Sequence, residues 1–430
     1  MTPSARIAAA IEVLTEIEAR KRPAADVLKD WGHANRFAGA KDRAAISSLV
    51  FDAVRKRSSS AFIMREETPR AIVLGTLRQA RNMNASDIFP LCSGAPHAPA
   101  PLNEQEMTRL SAADLTGAPD YVAGDFPEWL EPSLALAFGP ALVAEMRAFA
   151  IRAPVDLRAN TLKTTRGKAL EALKHLDAVP TPFSPLGLRL PVLPDGLGQK
   201  LSAEPLYVRG LVEIQDEASQ LAALLSCAGP GEQVLDICAG ACGKTLALAA
   251  MMQNKGQIHA ADRDGARLMK GFARLKRAGV RNVQLHPPRN GANVLGGLAG
   301  RCDLVFIDAP CTGTGTWRRN PDAKWRMRPG ALPIRIAEQD RLLAQAVWFV
   351  KPLGRILYAT CSILREENED RLMAFLAAHA NYKPVAAPQL AGMAGLPELG
   401  RFASRLGLGL RLSPLTSNTD GFYIAMLTLA

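Results

Sequence analysis

The stretch VLDICAGACGKT, residues 234–245, decides the fold, because its ending in Gly243, Lys244 and Thr245 can be read in two ways. A P-loop needs a glycine five residues before Gly243, so that backbone N–H groups can wrap a phosphate. That position is Cys238. A side chain there obstructs the tight turn that glycine makes at little cost, which sets the phosphate-loop reading aside. The stretch is read instead as the turn after the first strand of a Rossmann-like sheet. Gly240 and Gly243 let the backbone approach a ligand there.

Outward from that turn, strands and helices alternate. QVLDIC is a strand and a helix runs from Lys244; GQIHAAD is a strand and ARLMKGFARLKRAG a helix; VQL and CDLVFIDAP are strands. A helix at AEQDRLLAQAVWFV and a strand at GRILYAT follow. Strands separated by helices at this spacing predict an α/β fold with a mostly parallel, doubly wound sheet, whose ligands lie beyond the carboxyl ends of the strands. Asp262 ends the second strand, 26 residues after Asp236, close to the ~20 expected between a glycine turn and a carboxylate that accepts from ribose hydroxyls. Both features suit a cofactor containing a nucleoside.

Bulk properties narrow the class. The 430 residues suffice for two or three domains, and 48% hydrophobic with 22% charged residues is a globular composition. The 52 Lys and Arg outnumber the 41 Asp and Glu, and the net charge of +11 favours a polyanionic partner, nucleic acid ahead of a membrane surface. Glu12, Glu16 and Glu18 interrupt the first twenty residues as no secretory signal would, and no apolar run approaches the roughly 20 residues of a membrane helix. The expectation is a soluble, cytoplasmic monomer. Seven irregularly spaced cysteines and six scattered histidines predict neither a disulfide framework nor a metal site.

Three domains are expected. Residues 1–125 form the first, helical to about residue 90, with apolar residues at three- and four-residue intervals in ARIAAAIEVLTEIEARK and DRAAISSLVFDAVRKR, followed by the Pro/Ala-rich linker CSGAPHAPAPLNEQ. Residues 126–225 mix helices over EWLEPSLALAFGPALVAEMRAFA with extended pieces at VDLRANTLK and GLRLPV, a small α+β connecting domain. Residues 226–430 carry the Rossmann-like sheet.

Two further strand ends carry chemistry. DAPCTGTGTWRRNPDAKWR places Asp308, Pro310 and Cys311 where the fourth strand stops, and YATCSILREENE places Cys361 at the end of the next. Two thiols on neighbouring strand ends, beside a nucleoside-cofactor site and a basic surface, suggest covalent attack on a base. Cys227 and Cys302 are read instead as small buried hydrophobes. The basic-aromatic run with Arg318, Arg319 and Lys324 is the local candidate for phosphate contact.

These segments carry a resemblance. DICAGACGKT, DAPCTGTG, RRNPDAKW and YATCSILREENE, with RANTLK (158–163), EIQDEASQL (213–221) and NTDGFYIA (418–425), resemble in order the motifs of the Sun-type RNA cytosine-5 methyltransferases over residues 126–430. The helical front resembles a NusB-like RNA-binding domain, an arrangement similar to the bacterial small-subunit rRNA branch of that family. The resemblance implies S-adenosylmethionine as cofactor, RNA as partner and C5 of cytosine as target. It implies Cys361 as the nucleophile that adds to C6, Cys311 as an aid to product release, Asp308 at N3 of the base, and Lys244 as a cation favouring the thiolate. Cofactor contacts would come from Cys238, Ala239, Gly240, Gly243, Lys244, Asp262, Arg267, Asn290 and Asp308, and RNA contacts from Arg158, Asn160, Lys163, Arg318, Arg319 and Lys324.

The chain departs from the family in two places. Relatives usually read Cys-Ala-Ala-Pro-Gly-Gly-Lys-Thr where this chain has Cys238-Ala239-Gly240-Ala241-Cys242-Gly243-Lys244-Thr245, so Cys242 puts a side chain where backbone normally approaches the cofactor. After the third strand relatives usually have Gly-Asp; LHPPRNGAN has no acid, leaving Asn290 or Asn293 to stand in. An RNA-binding or ribosome-assembly protein with a decayed cofactor site is the alternative to an active enzyme.

Overall fold

The computed structural model describes residues 1–193, 201–289 and 292–429. Two compact units emerge. The first holds Met1–Ala153, Thr316–Arg328 and the described residues of 192–199; the second holds the described residues of 154–191, 200–315 and 329–430.

The first unit is helical. Its opening helices are Pro3–Arg20, Ala24–Ala34, Ala40–Arg55, Arg57–Met64 and Pro69–Ala80, and the first and last of these start at a side-chain cap. Thr2 accepts from Ala5 N–H ahead of Pro3, and Thr68 accepts from Ala71 N–H ahead of Pro69, each satisfying a donor that the helix itself leaves unpaired. The three- and four-residue spacing of Ile7, Ala10, Leu14 and Ile17 gives one apolar stripe, which packs with Ile46, Val50, Ile72 and Leu74 in a single core. Further on, the run expected to be helical through residue 150 breaks into Glu131–Phe138 and Leu142–Phe149. Gly139, at φ +54°, and Pro140 make the break.

The second unit begins with a small antiparallel sheet of β1 (Val155–Ala159), β2 (Val179–Pro180), β3 (Gly187–Leu190) and β4 (Val212–Ile214), in the order β2-β3-β1-β4. The large sheet follows: β5 (Gln233–Asp236), β6 (Gln257–Ala261), β7 (Val283–His286), β8 (Cys302–Asp308), β9 (Val350–Thr360), β10 (Tyr382–Pro384), β11 (Leu410–Leu412) and β12 (Phe422–Leu429). Its order is β10-β12-β9-β8-β5-β6-β7, with β11 paired to β12. Strands β5 to β9 are mutually parallel, and β12 closes antiparallel on β9.

Residues of β8 alternate between the two faces. Leu304 and Phe306 join the core beneath the helices Glu217–Leu224 and Gly243–Met251, while Val305 and Ile307 join the core beneath Ala331–Phe349 and Glu369–Ala378. Burial on both faces explains why β8 reads as an unbroken apolar run. The chain winds from β5 to β6 and β7 on one side, then returns through β8 and β9 on the other. The crevice beyond the carboxyl end of β5 is therefore the switch point where such sheets bind ligands.

Candidate active site

Four strand ends build one site in the second unit. After β5 the turn is held by its own backbone: Ala239 N–H donates to Ala261 O at 2.9 Å, and Gly240 N–H donates to Asp262 Oδ2 at 2.8 Å. The other oxygen of Asp262 accepts from Asp264 N–H at 2.8 Å, so one carboxylate fixes the turns after β5 and β6 together. Gly240 has φ +54°, a conformation that glycine adopts most cheaply, and a Cβ there would come within 3.1 Å of the Arg267 guanidinium. Gly243 opens the helix Gly243–Met251. Beneath the turn the buried Asp236 carboxylate accepts from Thr245 Oγ1 at 2.7 Å, and burial raises its pKa to about 7.

Cys242 takes the left-handed φ of +63° that a glycine would hold more cheaply. Its side chain turns away from the site into a notch left by Gly271 on the helix Gly265–Ala278; a Cβ on Gly271 would overlap Cys242 Sγ and lie 3.0 Å from its Cβ. The thiol is buried, and burial pushes its pKa up to about 11. The departure from the family's loop therefore leaves the ligand side of the turn clear.

A cavity of about 480 Å³ opens over this turn, lined by Cys238, Asp262, Arg267, Asp308, Cys311 and Cys361 among others. That volume lies within the 300–1,000 Å³ range of small-molecule and cofactor sites. The carboxylate of Asp262 matches ribose hydroxyls, and the paired charges of the cavity match a zwitterionic amino-acid tail, so the residues present fit S-adenosylmethionine. Near β7 the wall is His286, Pro288, Val294 and Leu295. His286 Nε2 meets His259 Nδ1 at 3.0 Å, and burial lowers the pKa of both rings. Asn293 is exposed and Asn290 lies outside the described residues.

At the reactive end, Lys244 Nζ donates to Asp308 Oδ2 at 2.6 Å and sits 5.0 Å from the centre of the Phe422 ring. Its charge is engaged by Asp308. Cys311 Sγ and Cys361 Sγ are 3.4 Å apart at the ends of the adjacent strands β8 and β9. The hydrogen bond to Cys361, together with burial, pushes the Cys311 thiol well above its ordinary range. Gly315 N–H donates to Cys361 O at 2.8 Å, and a Cβ on Gly315 would fall 2.8 Å from that same oxygen, which explains the glycine there.

Four of the residues considered for RNA contact, Arg158, Asn160, Lys163 and Lys324, are engaged in hydrogen bonds within the protein. Arg158, at the end of β1, is buried with its Nε donating to Gln215 Oε1 at 2.7 Å, and burial lowers its pKa to about 10. Asn160 donates to Gly210 O and Ala278 O at 2.9 and 2.8 Å, and Lys163 Nζ to Arg277 O at 2.6 Å. In the first unit, Lys324 is buried and donates to Arg55 O at 3.0 Å and to Asp125 O; burial pulls its pKa down to about 7. Trp325 Nε1 donates to Val54 O at 2.8 Å beside it. Arg318 is buried and Arg319 half-buried. Cys302 is buried within β8, and Cys227 is half-buried.

Sequence reasoning passed over Glu367, Asn368 and Gln339, whose side chains reach the cysteine loops. Glu367 and Asn368 lie within the quoted YATCSILREENE. Gln339 shares a buried helix stripe with Leu342, Leu343 and Ala346, and a lone amide on such a stripe was the available signal. Among the described residues no group of side chains is disposed to hold a metal, and no helix is long and apolar enough to cross a membrane.

The comparisons with known proteins agree with this geometry. Residues 223–428 match the family profile of the 16S rRNA methyltransferase RsmB/F. A probable ribosomal RNA small subunit methyltransferase B of Synechocystis is 31% identical over 315 residues, covering 71% of this chain and 67% of its own. The ribosomal RNA small subunit methyltransferase B of Shewanella oneidensis is 31% identical over 329 residues, covering 76% of this chain and 71% of its own. The crystal structure of PH0851 superposes with a TM-score of 0.73 at 25% identity, covering 100% of this chain and 99% of its own. At this identity and coverage, the chain belongs to the 16S rRNA methyltransferase RsmB/F family of S-adenosylmethionine-dependent RNA methyltransferases.

Proposed function

We propose that the protein methylates C5 of a cytosine in small-subunit rRNA through a covalent adduct with Cys361. The observation that carries this reading is the 3.4 Å approach of Cys311 and Cys361 in the cavity that also holds Asp262 and Asp308. C5 of cytosine is a poor nucleophile. Addition of the Cys361 thiolate to C6 moves an electron pair towards N3 and leaves an enamine whose C5 can attack a methyl group. The Lys244–Asp308 pair offers N3 a hydrogen bond and a proton as that charge develops. Bound S-adenosylmethionine supplies the methyl group from its sulfonium.

The hydrogen bond to Cys361 and burial hold the Cys311 thiol above its ordinary range, which suits it to carry a proton rather than to attack. The Cys311 sulfur, 3.4 Å from that of Cys361, suits a place beside the C5–C6 bond of a base held on Cys361. From there it relays the C5 proton away as the pair of electrons left at C5 re-forms the double bond and expels the Cys361 thiolate. The target base must leave its stack to reach this cavity, at a cost of about a few kcal/mol when it is paired. The basic balance of the chain, the helical residues 1–125 and the connecting residues 126–225 supply the RNA-binding part, with the exposed Lys163 and the half-buried Arg319 as the residues to test. Methylation is read by bisulfite sequencing of small-subunit rRNA from cells with and without the gene. Loss of one protected cytosine in the deletion strain, restored by the wild-type chain and not by Cys361→Ala, is the expected result. An unchanged pattern refutes it.

A further inference from the structure

Two neighbouring residues hold the two cysteines. Glu367 ends the short helical turn Arg365–Glu367 and is buried. Its carboxylate accepts from Thr312 N–H at 2.8 Å and from Thr312 Oγ1, the residue that follows Cys311. Gln339 Nε2 bridges the same carboxylate at 3.0 Å and Pro310 O at 2.9 Å, the residue that precedes Cys311. The Cys311 backbone is thus tied on both sides to one carboxylate. Asn368 comes next and is also buried. Its Oδ1 accepts from Thr360 Oγ1 at 2.6 Å and its Nδ2 donates to Ser362 O at 3.0 Å, the two residues that flank Cys361. Tyr358 OH donates to Glu367 O at 2.6 Å and anchors the dipeptide itself to β9.

We propose that Glu367 and Asn368 are positioning residues that divide the labour between the thiols, Glu367 setting the place of Cys311 and Asn368 setting that of Cys361. Neither touches the base; each acts through the loop it holds. A buried, multiply bonded carboxylate costs desolvation that fold stability alone could avoid with an apolar residue, and here every bond it makes goes to the loop around Cys311 or to the glutamine that also holds that loop. The negative charge of Glu367 also helps to keep the proton on Cys311. Adjacent placement in the chain makes the spacing of the thiols a property of one backbone unit. This inference rests on the covalent reading above for its catalytic consequence, though not for its structural one.

The test uses the full-length chain and isosteric variants, Glu367→Gln and Asn368→Asp, after their S-adenosylmethionine affinity and melting temperature have been compared with wild type. Alkylation by iodoacetamide, followed by mass spectrometry at each cysteine, is read first. Glu367→Gln removes a charge near Cys311 and should speed its alkylation at least about threefold with Cys361 little changed; Asn368→Asp adds a charge beside Cys361 and should slow that site selectively. Rates that change together at both cysteines, or at neither, overturn the proposal. Adduct formation on small-subunit rRNA from cells lacking the gene is read second, on denaturing gels, beside Cys311→Ala and Cys361→Ala. Glu367→Gln should shift adduct yield in the direction of Cys311→Ala, and Asn368→Asp in the direction of Cys361→Ala, each by about tenfold, the order expected for one buried hydrogen bond lost. If the cysteine variants exchange phenotypes and the two clamp variants follow them, the assignment of roles falls while the clamp stands. If both clamp variants resemble the same cysteine variant, the clamp falls.

Discussion

Substituting Gly271 by alanine should be costly in this chain and nearly free once Cys242 is glycine. In the native structure a methyl group on Gly271 overlaps Cys242 Sγ and comes within 3.0 Å of Cys242 Cβ, and Cys242 is fully buried, so neither atom has open space to yield into. Overpacking of this kind costs about 1–3 kcal/mol. Against it stands the gain from replacing a mid-helix glycine in Gly265–Ala278 by alanine, about 1 kcal/mol. Cys242→Gly alone relieves a left-handed φ of +63° but empties the notch beside Gly271, and the two effects oppose each other. With glycine at 242 the clash is gone and only the helix-propensity gain remains. The cycle of single and double variants should therefore show a coupling of about 1–3 kcal/mol, with Gly271→Ala destabilising in the wild-type background and neutral or stabilising beside Cys242→Gly. Urea denaturation, followed by a signal from the sheet domain, measures it. An equal penalty for Gly271→Ala in both backgrounds would refute the idea that Gly271 exists to house Cys242. Calorimetry on the same four proteins tests the functional corollary. Cys242→Gly should leave S-adenosylmethionine affinity within about threefold of wild type, since a side chain directed away from the cavity does not compete for it.

The remaining expectations concern the same site. Asp262→Ala should weaken S-adenosylmethionine binding by about 1–3 kcal/mol, through loss of a charged acceptor and of the two backbone hydrogen bonds it makes to Gly240 and Asp264; unchanged affinity by calorimetry would displace the cofactor from this turn. Cys361→Ala should form no RNA adduct, and Cys311→Ala should form one that persists on a denaturing gel; the reverse pattern would move the nucleophile to Cys311. Asp236 gives a pH signature. Its pKa is raised from 3.8 to about 7 in the folded state, so the folded protein keeps a proton that the unfolded chain has released, and the associated stability is full below about 3.8 and lost as pH rises through about 7. Wild type should therefore lose melting temperature relative to Asp236→Asn across that window, and parallel profiles would show that the carboxyl is not held protonated.

The sequence by itself determined the type of sheet. Alternating apolar strands and amphipathic helices from Gln233 onwards have few packed arrangements open to them, and the strand-end positions of Asp262, Asp308, Cys311 and Cys361 follow from period and length alone. The caps at Thr2 and Thr68 are likewise local, since a cap is an interaction within a few residues. Strand β12 is different. FYIAMLTL carries no alternation because it is buried along most of its length, and its antiparallel place between β9 and β10 depends on partners tens of residues away.

Contacts of long sequence separation decided the rest. Lys324 and Trp325 look in sequence like a cationic-aromatic surface loop, yet their donors end on the carbonyls of Arg55 and Val54, 269 and 271 residues earlier. Lys244 looks like a free cation and is bound to Asp308, 64 residues on. Cys242 looks like an obstruction to the cofactor, and only the absence of a side chain at Gly271, on the following helix, gives it somewhere else to go. Glu367 and Asn368 look like the polar start of a helix, and their assignment to one cysteine each appears only when β8 and β9 are laid side by side. Sequence period reports which way a side chain points from its own element. What it meets there is set by the register and packing of elements that the period does not encode, and for buried polar groups that meeting decides between a surface charge and a structural bond.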